Sequence, residues 1–232
     1  MHKHVSVREG AAISCPKCGG ETRRYGYEKE ERTWQHGNVF FIYSCYVHCR
    51  RPRVLCPRCG VQQAEAPFAR KNSRNTLLFE GLVMLIAHDT LFSSVARLMG
   101  CNEKTAVRIV SYWVNESRRR QSLEKLSSLA VDETSMRHGH VYVVRQIVSG
   151  ALGEVRKQEQ KETEDKRRIF LGRMLFAMPE SRLTNAICEG INSGIQAAKR
   201  KARGYKTFRT FSTMIYLIAG KLDIKSPFPM PA

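Results

Sequence analysis

The sequence predicts an α+β chain: a small N-terminal zinc-ribbon-like module, a helical middle, and a C-terminal end that mixes strand and helix. Three observations predict it. Two C-P-x-C-G knuckles, at Cys15 and Cys18 and at Cys56 and Cys59, bracket short alternating runs rich in aromatics. Apolar residues at helical spacing fill 77–113. An apolar strand–turn–strand pattern at 129–144 is followed, after a charged stretch, by an amphipathic helix at 183–208. The expected divisions are 1–66, 67–125, 126–150, 151–181 and 182–232.

Composition narrows the function classes. The 232 residues suffice for one large domain or two to three small ones, and 42 % hydrophobic content is ordinary for a folded chain. Net charge is +18, with the bases spread along the chain, so nucleic acid is the first partner to consider. An anionic membrane is a poorer fit, because no long basic helix carries bulky apolar residues. The longest apolar run, 82–87, is far too short to span a bilayer. The start, MHKHVSVREG, has no apolar core after its charges and does not read as a signal peptide. A reducing, cytoplasmic and nucleoid-associated location is the expectation, and there paired cysteines mean metal before disulfide.

In each knuckle the two-residue spacer turns two thiolates toward one ion, and the following glycine permits the tight turn. Cys15, Cys18, Cys56 and Cys59 together make a closed four-thiolate site for structural Zn²⁺, with no position left for substrate. The run 39–43 between them suits a small antiparallel sheet. Cys45, His48 and Cys49 offer further ligand types, but packing or exposure in a hairpin is the simpler expectation. Arg50, Arg51 and Arg53 read equally as phosphate contacts and as an exposed loop.

Pro67 closes the first module and polar 71–75 opens the next. Residues 77–88 read as one helix. In 93–113, Ala96, Gly100, Ala106 and Ile109 occupy the small, turning and buried places of a helix-turn-helix, where two short helices cross closely. The second helix is expected to begin near Glu103 and to present Lys104, Thr105 and Arg108 to DNA. Arg118 and Arg119 are placed to continue onto the DNA backbone, where each neutralised phosphate releases counterions; taken alone the run reads as a solvated helix face.

LAVDET followed by HGHVYVV reads as a β-hairpin whose first strand ends in two acids. In 183–208, Asn185, Glu189, Asn192, Gln196, Lys199 and Arg203 fall on one face, with Ile187, Ile191, Ile195, Ala198 and Ala202 opposite. Thr184 or Asn185 is placed to cap this helix and Gly204 to end it. One acid, then amides, then bases along a stripe suits a metal ion followed by phosphates; a solvated face is the plainer reading.

TNAICEGINSGIQAAKRKARGYKTF, with the later AGKLDI, resembles the C-terminal end of bacterial insertion-sequence transposases of the ISL-three type. RVLCPRCGV is similar to their zinc module, and VDETS with GHVYVV to their first catalytic strand. The resemblance implies a DDE transposase with an RNase H-like catalytic domain, in which Mg²⁺ held by carboxylates supports phosphodiester cleavage. It makes Asp132 the first triad aspartate and Glu189 the triad glutamate; Lys199 and Arg203 are the bases of the stripe that suit phosphates. Insertion-sequence ends become the expected DNA, and a second copy or a full-length transposase the expected protein partner.

The family continues with more strands, a second aspartate in a D-R-F-H type motif and a helical insertion. Here 145–180 supplies instead a charged run, RKQEQKETEDKRR, with little strand character, and the resemblance resumes near Arg182. Asp165 is the only aspartate between the two acids and follows no apolar strand. The expectation is therefore an incomplete RNase H-like remnant, one hairpin plus C-terminal helices, in which Asp132 and Glu189 are not assembled and DNA is bound but not cut. The alternatives are an active metal-dependent nuclease built as an oligomer, with acids shared across the interface, and a zinc-ribbon and helix-turn-helix regulator.

Overall fold

The structure, a computed structural model, describes residues 1–8, 10–39, 42–120, 129–136, 139–146, 152–158, 186–202, 205, 207–220 and 222–224. Among these, one compact unit takes 1–86 and 92–106, and a second takes 87–91 and 107–224.

The first unit holds two three-stranded sheets. β2 (Arg23–Tyr27), β5 (Pro52–Cys56) and β6 (Gly60–Gln63) form an antiparallel sheet in the order β2-β5-β6. The second knuckle is the turn of its β5–β6 hairpin. Between β2 and β5 the chain makes another hairpin, β3 (Arg32–Val39) and β4 (Tyr43–Cys49), and β1 (His2–Val5) adds to β4 in parallel. The ends of the run 39–43, expected to suit a small antiparallel sheet, belong to one: Val39 closes β3 and pairs with Tyr43 at the start of β4, while 40 and 41 lie outside the described residues. The register of Trp34 on Val47 and His36 on Cys45 aligns the two strands.

Three helices follow: α1 (Leu77–Asp89), α2 (Phe92–Met99) and α3 (Glu103–Arg120). Thr76 caps α1 by accepting the Phe79 N–H at 3.2 Å. The sheet and helices meet at Gly37, where a Cβ would lie 3.0 Å from Leu82 and 3.3 Å from Leu78. Glu80 of α1 is fully buried and holds the preceding loop, accepting from Arg70 at 2.6 Å and Ser73 at 2.7 Å. Trp34, Cys49 and Ala69 pack with Phe68 beneath that loop.

In the second unit β7 (Leu129–Met136), β8 (Gly139–Gln146) and β9 (Leu152–Gln158) make an antiparallel meander. The expected hairpin is there, but the stretch expected to lack strand character supplies β9. A strand beside an open edge needs main-chain pairing more than apolar alternation, and β8 offers that edge from His140 to Arg145. Among the described residues the unit also holds two helices, α4 (Ala186–Lys201) and α5 (Phe208–Ala219), the latter capped by Thr207. The α4 helix lies alongside α5 and β7, and α5 alongside β9. No described helix is long and apolar enough to cross a membrane.

Candidate functional site

Both knuckles fold as their sequence dictates. Gly19 and Gly60 each have φ near +70°, the left-handed conformation that only glycine adopts at little cost. At the first knuckle Gly19 donates to the Cys15 carbonyl at 2.8 Å and Cys15 to the Gly20 carbonyl at 2.9 Å. The Sγ atoms of Cys15, Cys18, Cys56 and Cys59 lie within 4.8 Å of one another, and Cys18 and Cys56 are 3.6 Å apart. A tetrahedral zinc site with bonds of about 2.3 Å has sulfur–sulfur edges of about 3.8 Å, so the four residues fit that ion. The backbone N–H of Cys18, with that of Lys17, lowers the Cys15 thiol to about 7 against the effect of burial. Cys59 is pushed up to about 12, first by its hydrogen bond with Cys18 and then by burial. Four thiols this close cannot all ionise by themselves; a dication held among them would supply the missing charge.

Cys45, His48 and Cys49 do not join this cluster. Along β4 the two cysteines are buried, while His48 points to the other face, against His2 at 2.8 Å and Thr33 at 3.0 Å. Strand alternation separates them. A cleft of about 550 Å³ opens beside the first knuckle, lined by Lys17, Arg32, Arg51, Arg70 and Lys71 among others. Glu28, Glu80 and Glu65 pair with Arg51, Arg70 and Lys71, so most of its cations are already engaged.

The turn between α2 and α3 is built from both sides. Gly100 takes φ +60° just after α2, and Cys101 donates to the Ala96 carbonyl at 2.9 Å, closing the helix end. Two amides of β3 satisfy the last carbonyls of α2: Gln35 donates to Met99 and Gly100, and Asn38 to Leu98, each at 3.1 Å. The side chain of Asn102 caps α3 by accepting the Lys104 N–H at 2.7 Å. Ala106, Ile109 and Val110 are buried, as the small and apolar places require. Lys104 and Arg108 are exposed one turn apart and Thr105 is half-buried between them.

The helix-turn-helix domain of transposase family ISL3 matches residues 64–114. A second model of the same family, its DDE domain, described as a transposase, matches residues 170–215. Two separate segments of the chain are thus similar to domains of ISL3-family transposases. No curated protein and no solved structure matches it. The second match begins at 170, ahead of the point near Arg182 where the resemblance was expected to resume.

The remaining residues expected at a site fall in the second unit. Asp132 sits on β7, paired with Val143, and Glu189 lies on α4. Because α4 runs alongside β7, the elements carrying the two acids are neighbours. Arg118 and Arg119 are exposed but engaged: the Arg118 guanidinium lies 3.8 Å from the centre of the Tyr216 ring, and Arg119 donates to Glu116 at 2.7 Å. Lys199 is half-buried in the last turn of α4. Arg203, the expected caps Thr184, Asn185 and Gly204, and Asp165 lie outside the described residues.

Proposed function

We propose that this transposase-family protein recognises the ends of its insertion sequence through the exposed edge of α3 and does not by itself complete strand cleavage. The observation that carries the first half is the capped start of α3, which presents Lys104 and Arg108 to solvent within the segment matching the helix-turn-helix domain. A duplex major groove admits a helix in this way, and its first turns reach the base edges. Structural zinc at the four cysteines holds β2, β5 and β6 and takes no part in chemistry. The second half rests on the acids: two are carried over from the family, and two-metal phosphodiester cleavage needs a third carboxylate to fix both ions. On this reading the protein is a cytoplasmic, nucleoid-bound occupant of element ends.

Arg108→Ala tests the α3 assignment. It is expected to weaken binding to an element-end duplex by about 1–3 kcal/mol and to leave random duplex nearly untouched. An equal loss on both would reduce Arg108 to a phosphate contact. A second reading, an active nuclease assembled from two copies, draws support from the placement of α4 beside β7, which brings two triad positions into one unit. Magnesium-dependent nicking decides between them.

A further inference from the structure

The outer face of the β2-β5-β6 sheet carries an exposed patch that zinc binding does not explain. Tyr25 is 57 % exposed, Leu55 43 % and Val61 37 %, and Arg23 and Arg53 are exposed with them. The register makes them neighbours: Leu55 pairs with Arg23 on one side and Val61 on the other. Arg53 lies over the Tyr25 ring, 5.3 Å from its centre. The break in register between Arg24 and Gly26 accompanies Tyr25 and lets it share the face of Arg53. Gly26, with φ +154°, makes that bend possible.

An exposed tyrosine with a guanidinium on its ring and two aliphatic neighbours is costly to leave in water. A folding role does not require it, since Val54 and Cys56 on the opposite face of β5 are already buried. The three strands contain no acid, so the patch is complementary to a polyanion. The form of that polyanion follows from the apolar component. A duplex hides its base faces and offers phosphates, which give Leu55, Val61 and the tyrosine ring nothing to cover. An unpaired strand offers both base faces for stacking and phosphates for the arginines.

We propose that this face of the zinc-bearing sheet binds single-stranded DNA, with a base stacked on Tyr25 and the adjoining phosphates on Arg23 and Arg53. It deepens the DNA-binding reading and places a second site apart from α3, suited to the unpaired strands that arise when element ends open.

The test is fluorescence anisotropy of the full zinc-loaded chain with a short oligothymidylate and with an abasic oligomer of equal length and charge. The native chain is expected to prefer the oligothymidylate. Tyr25→Ala is expected to weaken that binding about tenfold, as loss of one stacked base does, and to leave the abasic oligomer unchanged. Tyr25→Phe should retain the preference, and Arg53→Ala should weaken both ligands. Zinc content and the far-ultraviolet spectrum of each variant report that the sheet is intact. Arg108→Ala should leave oligothymidylate binding as it is, so a failure of the α3 assignment would not disturb this result. No preference for bases over abasic sugar in the native chain, or a Tyr25→Ala variant that binds oligothymidylate normally, overturns the proposal.

Discussion

Arg51 donates from Nε and Nη2 to the two carboxylate oxygens of Glu28, at 3.0 and 2.6 Å, and clasps the ends of β2 and β5 together. These hydrogen bonds hold Glu28 below its ordinary value of 4.5. Nearby, His36 meets the Thr76 hydroxyl at 2.9 Å, and burial holds the ring below its ordinary 6.5. Thr76 accepts the Phe79 N–H and keeps its own proton to donate, which suits a neutral imidazole. In each case the unfolded chain takes up the proton at higher pH than the folded one. Stability is therefore complete above the ordinary pKa and falls as pH drops through the window below it, first for His36 and then for Glu28. At saturating zinc the first unit should resist urea less at about pH 5.5 than at about pH 7.5, and His36→Gln should lose less of that resistance. An identical loss in the variant would contradict the role given to His36.

At the scale of elements the knuckles carry the clearest prediction. Cys56 ends β5 and is almost fully buried, so Cys56→Ser removes a ligand and leaves three thiols with an open site. The expected result is loss of zinc by elemental analysis together with melting of β2, β5 and β6, because a small sheet of this kind depends on its metal. Unchanged zinc content would refute the ligand assignment. These knuckles were legible in the sequence because their chemistry is local: two cysteines, a fixed spacer, and a glycine where φ must be positive. The start of α3 was expected near Glu103 and lies there, with the Asn102 side chain as the cap that the structure adds. What escaped was long-range. Nothing near Gln35 or Asn38 announces that their amides will hold the carbonyls of α2, sixty or more residues away. The pairing of β1 with β4 and of β9 with β8 likewise depends on an edge supplied elsewhere in the chain. Tyr25 and Arg53 carry no motif, and only the register shift beside Tyr25 brings them onto one face.

For the whole molecule, the two family matches assign DNA binding and transposase ancestry to segments in different parts of the chain. A net charge of +18 suits DNA binding, since it draws in DNA of any sequence. The open matter is chemistry. The placement of α4 beside β7 makes the elements of Asp132 and Glu189 neighbours, and on the reading proposed above it supplies two triad positions and not three. Two carboxylates leave one ion weakly held, and the in-line geometry of phosphodiester cleavage tolerates little misplacement. The most direct measurement is Mg²⁺- and Mn²⁺-dependent nicking of supercoiled DNA carrying the element's ends, with Glu189→Gln alongside. The account predicts no nicking by either protein while both retard the DNA in a gel at low salt. Nicking by the native chain that disappears in Glu189→Gln would contradict it and show a working centre.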